Sequence, residues 1–481
     1  MNQTCLTGNP WLRAAVFLAI CNASADAPPS PKAPLEGRRP NVVLIMTDDQ
    51  GLGDMGWTGH PHIRTPSLDR LRGQSLWLSD FHVSPTCAPT RAALMTGRHE
   101  FHSGVTHTIF ERERMSLRAV TLPQTLRAAG YATGIFGKWH LGDEEPYQPG
   151  NRGFDETFIH GAGGIGQTYP GSCGDAPNNE YFNPVIRHNG TFVRTRGFCT
   201  DVFFAQALRW IDSRRKTDAP FFCYLTPNAP HSPYHAPDRW KRRYTDAGLD
   251  DAAAAFCGMV ENIDWNVGQL LAKLDEWGLA ADTLVLFLGD NGTCQRGLFD
   301  GGMRGAKGTP FEGGTRVGLL ARWTGVLPEN ATCPALTAHI DLFPTLCQLA
   351  GQPVPSEAHC EGRSLLPLFQ DPQAAWQDRT LFTHVGRWKP GSDPDQAKHQ
   401  SCAVRTARYR FVNNTALYDI AADTKETTDL SAAHPEEVAR LSAAYDAWWA
   451  SVRAGIEENE HPQNVPTQNP FKTLYWTQFG F

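Results

Sequence analysis

Asn41-Val42-Val43-Leu44-Ile45-Met46-Thr47-Asp48-Asp49 is an unbroken apolar run that ends abruptly in polar side chains. An apolar run without alternation fits a strand covered on both faces, and the polar residues then mark its carboxyl end. The pattern recurs at Phe221-Phe222-Cys223-Tyr224-Leu225, which leads to Asn228 and His231, and at Leu284-Val285-Leu286-Phe287-Leu288, which leads to Asp290-Asn291. Helices are expected between these runs, over about Pro66 to Gly73, Asp201 to Ser213, Ala252 to Trp277 and Ala338 to Ala350. This alternation predicts an α/β fold, a large doubly wound mixed sheet flanked by helices, with its site at the strand carboxyl ends.

Working outward, the texture changes near residue 370 to short alternating runs at Thr380 to His384, Ala403 to Arg405, Tyr409 to Val412 and Leu417 to Ile420, followed by a helical stretch from Pro435 to Val452. These predict a smaller antiparallel sheet with one helix. The expected division is therefore a catalytic α/β domain over 40–369 and a C-terminal α+β subdomain over 370–481. At the other end, Arg13, the short apolar run Ala14 to Ile20 and Ala23-Ser24-Ala25 form an export-signal pattern over 1–25, and 26–39 is expected as a Pro-rich linker. The protein is thus expected to be secreted or periplasmic, and no segment has the roughly 20 apolar residues of a membrane span.

With 481 residues, 41% of them hydrophobic, the chain is long enough to bury a large core. Its 44 basic and 50 acidic residues are dispersed and give a net charge of −6, which argues against a nucleic-acid partner. Any anionic substrate must be met by a few placed cations. Of 12 cysteines, Cys5 and Cys21 fall in the signal, leaving ten; setting Cys87 aside leaves nine, so at least one thiol is unpaired. Cys173 and Cys199 flank an irregular Gly-, Asn- and Pro-rich stretch and are the expected bridge, although spacing does not fix connectivity. Cys223, inside its apolar run, is expected as a buried thiol.

Chemistry concentrates in a few segments. Cys87-Ala88-Pro89-Thr90-Arg91 continues into Ala92-Ala93-Leu94-Met95-Thr96-Gly97-Arg98, and Gly130-Tyr131-Ala132-Thr133-Gly134-Ile135-Phe136-Gly137-Lys138-Trp139-His140 follows at a distance. Pro230-His231-Ser232-Pro233, Asp290-Asn291-Gly292, and Gly305-Ala306-Lys307 leading to Glu312-Gly313-Gly314-Thr315-Arg316-Val317 come later. Asp48, Asp49, Asp290 and Asn291 offer hard oxygen ligands at two strand ends, a set that suits calcium better than zinc. Taken singly, an Asp-Asp pair is more often a turn or a cap.

Together these segments, in this order, resemble the type I, formylglycine-dependent sulfatases, arylsulfatase-like members of the alkaline phosphatase superfamily. The resemblance spans nearly the whole chain after the export signal. Thr90 stands where that family most often has Ser, Thr293 follows the Asp-Asn-Gly, and Gly318 stands where Pro is common; Thr90 bears on how well Cys87 is recognised for conversion.

The resemblance implies hydrolysis of sulfate esters, on sulfated carbohydrates or aryl sulfates. It implies that a formylglycine-generating enzyme converts Cys87 to formylglycine (3-oxoalanine), whose hydrate attacks sulfur and then expels sulfate through its second hydroxyl. It assigns calcium to Asp48, Asp49, Asp290 and Asn291 together with residue 87. Arg91 holds the diol and metal ligands, Lys138, His140 and Lys307 meet sulfate oxygens, His231 is the general acid and Asp290 the base. Cys87 is expected to open a helix running through Leu94, whose N-terminus favours negative charge. His60, His62, His107, Arg304 and Arg316 are further candidates for the pocket, Arg316 alternatively as a brace for its Gly-rich loop. None of the 14 Trp residues is assigned to substrate. The alternatives are a phosphonate or phosphate ester hydrolase on the same scaffold, separated by comparing aryl sulfate with aryl phosphate, and a catalytically silent glycan-binding protein, which would lack a catalytic residue.

Overall fold

Val42, Leu44 and Met46 enter one hydrophobic cluster, while Val43 and Ile45 enter another. That two-residue period is what a strand covered on both faces requires. The computed structural model describes residues 34–169, 173–460 and 468–480, so the expected export signal lies outside the described residues.

The first twelve strands in chain order are β1 Asn41–Thr47, β2 Leu76–Leu78, β3 Phe81–His82, β4 Ala132–Lys138, β5 Glu156–His160, β6 Val185–His188, β7 Thr191–Arg194, β8 Phe221–Thr226, β9 Thr283–Gly289, β10 Leu319–Arg322, β11 Ala331–Cys333 and β12 Thr337–Ala338. All but β3 and β12, which pair with each other, form a ten-stranded sheet in the order β11-β2-β10-β9-β1-β8-β4-β5-β6-β7. The central five, β9-β1-β8-β4-β5, are mutually parallel, and β10, β6 and β7 join antiparallel. The carboxyl ends of β9, β1, β8 and β4 therefore open side by side. Gly137 near the end of β4 has φ 124°, and a Cβ there would lie 2.0 Å from Thr226 O, so only glycine lets β4 approach β8 this closely.

The helices are α1 Pro66–Gly73, α2 Cys87–Thr96, α3 Leu122–Ala128, α4 Cys199–Arg214, α5 Asp238–Asp246, α6 Asp251–Glu276, α7 Glu312–Thr315, α8 Leu342–Leu349, α9 Leu366–Gln370, α10 Pro435–Glu460 and α11 Pro470–Phe479. Side chains of α2, α3, α8, α9 and α11 pack on one sheet face, and those of α1, α4 and α6 on the other. Four more strands, β13 Leu381–His384, β14 Cys402–Arg405, β15 Tyr409–Val412 and β16 Ala416–Asp419, form the expected antiparallel sheet in sequence order. Leu441, Tyr445, Trp448, Trp449, Val452 and Ile456 of α10 pack with Val404, Phe411 and Leu417 of that sheet.

Three expectations change. Leu35 is buried in the core, Gly37 N donates to Gln348 O (2.9 Å) and Arg39 Nη2 to Ala129 O (2.7 Å), so the last residues of the supposed linker dock on α8 and α3. The helix expected from Ala338 starts at Leu342, because Asp341 turns back to accept Ala338 N through Oδ2 (2.8 Å). Cys173 and Cys199 are free thiols, like the other eight cysteines among the described residues. Cys199 opens α4 within the core around Tyr181 and Phe203, whereas Cys173 lies beside Gly163 and Asp143 on the loop next to His140.

The small sheet and its helix pack against the larger sheet domain, and Leu35–Phe481 form one compact unit. Buried ion pairs cross the seam: Arg379 Nη1 lies 2.6 Å from Asp341 Oδ1, and Arg410 Nη2 lies 2.7 Å from Glu312 Oε1, both Arg410 and Glu312 being fully buried. Arg405 Nε adds a second contact to Glu312 Oε1 at 2.9 Å.

Candidate active site

At the end of β1, Asp290 N donates to Thr47 O (2.9 Å), carrying the β1–β9 ladder one residue past β9. Asp49 then enters the left-handed region at φ 69°, which aims its amide at Asp290 Oδ1 (3.0 Å). Asn291 Nδ2 donates to Asp49 Oδ1 at 3.0 Å. Gly292 closes the turn: its N donates to Gly314 O (3.0 Å), and a Cβ there would lie 1.8 Å from Gly313 O. These bonds lock Asp48, Asp49, Asp290 and Asn291 into one buried cluster.

Three carboxylates held this close need positive partners. Each has one: Lys138 Nζ lies 2.7 Å from Asp48 Oδ2, Arg91 Nη2 lies 2.7 Å from Asp290 Oδ2, and Lys307 Nζ lies 2.6 Å from Asp49 Oδ1. Burial pushes the Asp48 carboxyl well up despite Lys138, with Asp290 and Asp49 adding to the rise. Burial works the same way on Asp49, but Lys307 and His231 outweigh it and hold that carboxyl below the usual range. Asp48 Oδ1 and Asn291 Oδ1 are buried without a hydrogen-bond partner. Two unpartnered oxygens among carboxylates fit a hard divalent cation, which the donor set of acid and amide oxygens also favours.

Cys87 opens α2 after the extended residue Thr86, as expected, and its sulfur lies within 4.8 Å of carboxylate oxygens of Asp48 and Asp290. Burial raises its pKa, but the ammonium groups of Lys138 and Lys307 outweigh it and bring the thiol below its ordinary value. Thr90 Oγ1 donates to Ser84 O at 3.0 Å. One turn on, Arg91 spans the site, with Nη1 donating to Lys138 O (3.0 Å) and Nη2 to Asp290.

The two histidines differ from simple donors. His140, at φ 59°, sets Nε2 against Thr108 O at 2.9 Å, so Nε2 donates and the neutral ring carries a lone pair at the buried, unpartnered Nδ1. Burial first, then Lys138, holds its pKa well below normal. His140 therefore offers an acceptor for a hydroxyl hydrogen rather than a donor to a sulfate oxygen. His231 sets Nδ1 against Ser232 O at 2.6 Å, which leaves Nε2 unprotonated when the ring is neutral, 3.8 Å from Asp49 Oδ2. Burial holds His231 down to about 4; Asp49 opposes that fall and Lys307 adds to it.

The structure thus brings together Asp48, Asp49, Cys87, Arg91, Lys138, His140, His231, Asp290, Asn291 and Lys307. The weaker candidates have other work. His60 Nδ1 accepts the amides of His62 (3.1 Å) and Ile63 (2.9 Å), shaping its own loop. Arg304 Nη1 donates to Glu426 O (2.9 Å) and its guanidinium lies over Phe311. Arg316 Nε donates to Ser79 O (2.9 Å), which is the bracing role. His107 Nδ1 accepts Thr108 N at 2.7 Å, fixing the segment that holds His140.

Several supporting residues carried no sequence motif. Thr108 fixes the His140 ring, and Tyr181 OH donates to His231 O at 2.8 Å. Asp143 accepts Ala162 N (3.1 Å) and Gly174 N (2.7 Å), while Asp175 accepts Gly161 N (2.9 Å), bracing a loop that presses on His140. A Cβ on Gly163 would lie 2.7 Å from His140 Cε1, so the Gly161-Ala162-Gly163-Gly164 run was the available signal.

Known proteins resemble this chain in sequence and in fold. The profile of the family described as Sulfatase matches residues 40–352, and that of N-sulphoglucosamine sulphohydrolase, C-terminal, matches 302–445. N-acetylgalactosamine-6-sulfatase of Mus musculus is 32% identical over 367 residues, covering 72% of this chain and 69% of its own. Arylsulfatase A of Homo sapiens is 32% identical over 425 residues, covering 80% and 78%. The crystal structure of Ps i-CgsB superposes with a TM-score of 0.77 at 27% identity, covering 92% of this chain and 98% of that one. On its fold, its site and these matches, the chain belongs to the sulfatase family and is a hydrolase of sulfuric esters.

Proposed function

We propose that this sulfatase removes sulfate from a sulfated carbohydrate, using a calcium ion and a formylglycine made from Cys87 by a formylglycine-generating enzyme. The observation that carries the reading is the placement of Cys87 against Asp48 and Asp290, with Lys138 and Lys307 as its main charge partners and two unpartnered oxygens, Asp48 Oδ1 and Asn291 Oδ1, in the adjoining carboxylate cluster. Carbohydrate is favoured because relatives are named N-acetylgalactosamine-6-sulfatase and because Ps i-CgsB, 26% identical here, was solved with k-i-k-neocarrahexaose.

Asp48, Asp49, Asp290 and Asn291 would hold the ion, which would supply positive charge against sulfate oxygens. Conversion of Cys87 would supply a hydrated aldehyde, a nucleophile with a second hydroxyl for turnover. The chain's own groups do the rest. Lys138 and Lys307 hold the sulfate by charge, and Arg91 fixes the head of α2 relative to Asp290. Asp290 takes the proton of the attacking hydroxyl, and His140 Nδ1 accepts the hydrogen of the other. His231 is neutral in the free site; the negative charge of a bound sulfate ester favours its imidazolium, whose Nε2–H then protonates the leaving oxygen.

Export to a secreted or periplasmic location rests on Arg13, the apolar run after it and Ala23-Ser24-Ala25; no helix among the described residues is long and apolar enough to cross a membrane. Turnover of aryl sulfate, aryl phosphate and a panel of sulfated saccharides tests the reading. Release of sulfate from a saccharide is expected; faster release of phosphate than sulfate would overturn it.

A further inference from the structure

Two exposed arginines from distant parts of the chain are tied to the turn that carries Lys307. Arg296 Nη2 donates to Lys307 O at 3.0 Å. Arg387, on the segment after β13, reaches the same turn: a Cβ on Gly308 would lie 4.0 Å from its Nη1. Gly308 N in turn donates to Pro85 O (2.8 Å), two residues before Cys87. Arg387 Nη2 also donates to Thr108 Oγ1 at 3.3 Å, and the carbonyl of the same Thr108 holds His140.

The backbone is shaped to put Arg387 there. A Cβ on Gly386 would lie 1.9 Å from Thr106 O, so glycine alone lets this segment press on the loop before Thr108. Arg387 itself sits at φ 61°, an unfavourable conformation for a long side chain on a free surface. Its charge also helps keep His107 neutral, after burial and Arg112, which places the guanidinium close to that ring.

Among the described residues, neither Arg296 nor Arg387 forms an ion pair, whereas Arg91, Arg187, Arg405 and Arg410 do. The chain carries a net charge of −6, and these two unpaired guanidiniums stand at the turn of the partly exposed Lys307, a placement that favours an anion. Guanidinium groups match sulfate and carboxylate oxygens by paired hydrogen bonds.

We propose that Arg296 and Arg387 form a rim clamp that binds a second anionic substituent, a sulfate or carboxylate, on the saccharide whose ester is cleaved. The clamp rests on the sulfatase reading above and narrows its substrate class to glycans with at least two negative groups near the scissile ester. Both arms are exposed and meet the turn of Lys307, so the second group is held on the solvent side of the site.

The test uses the full-length converted enzyme and three matched disaccharides: one with the scissile sulfate alone, one with a second sulfate, and one with a carboxylate. Wild type is expected to prefer a doubly charged substrate by about tenfold in kcat/KM, carried by KM. In R296Q/R387Q the preference should fall to near one, with a weaker salt dependence. Which doubly charged sugar wins identifies the group as sulfate or carboxylate. Equal use of all three by wild type, or an undiminished preference in the double variant, overturns the clamp. So does an R387Q that loses turnover of every substrate in proportion, since Arg387 would then only position Thr108 and His140. Calorimetric binding of the three sugars to the C87A protein reads the clamp without turnover, so its failure is separable from failure of the sulfatase reading, which a lack of any sulfate release would show.

Discussion

Lys138 Nζ lies 2.7 Å from Asp48 Oδ2, and neither side chain has any exposed surface. Removing one partner of such a pair leaves a charge stranded in the interior, at a cost of about 3–5 kcal/mol. Lys138→Met should therefore lose that much stability in urea without metal, and calcium should recover part of it by taking over the charge of Asp48. Equal loss with calcium and with chelator would show that no ion sits beside Asp48.

The orphan oxygens of Asp48 and Asn291 predict a metal requirement. Chelation should abolish sulfate release, and calcium should restore it where zinc does not. Added calcium at about 100 times its dissociation constant should stabilise the fold by about 2.7 kcal/mol. Asp290→Ala, which also strands Arg91, should bind no calcium and turn over nothing; a metal-free preparation with full activity would defeat the assignment.

Peptide mass spectrometry of active protein should find residue 87 as the aldehyde, and activity should scale with the converted fraction. Cys87→Ala should fold with an unchanged thermal midpoint and release no sulfate. Unconverted protein that turns over as fast as converted protein would sink the mechanism.

Glu100 gives a pH signature outside the site. It lines a cavity of about 180 Å³ with His99, His339 and Trp448, and burial pushes its carboxyl up to about 7 from 4.5. His99 Nδ1, 3.6 Å away, already accepts Phe101 N and so carries no proton to pair with it. A folded pKa above the unfolded one means stability present below pH 4.5 that is lost as pH rises to about 7. Glu100→Gln removes this loss, so at pH 8 the variant should exceed wild type by up to about 3 kcal/mol, with the gap closing at pH 4.5. Urea melts at the two pH values check it; a gap that does not change with pH would mean Glu100 is ionised in the folded chain.

What the sequence made legible was local. The apolar run of β1 announced its own burial and its carboxyl end, and the same held for β8 and β9, so Asp48, Asp49, Asp290 and Asn291 were legible at strand ends, while the β1–β9 pairing that joins them was not. Cys87 and Arg91 lie one helical turn apart, which the α2 pattern already contained. Thr108 could not be read, because its role is a carbonyl aimed at His140 from a loop without periodicity. Glu312 pairs with Arg405 and Arg410 across about a hundred residues, and no spacing rule encodes that. Cys173 and Cys199 misled for the same reason: nearness in sequence across a loop is not nearness in space.

Every residue of α2 is buried, and the turn at Gly308 closes over the segment just before it. A catalyst that oxidises a cysteine must grip several residues of peptide on each side of the sulfur, and the folded chain presents none of them. Conversion of Cys87 would thus belong to the interval before Gly308 closes on Pro85, while Thr86 to Arg91 are still an open strand. Maturation would then be a race between the modifying enzyme and folding, and a sequence change that hastens closure would yield a well-folded, inactive protein.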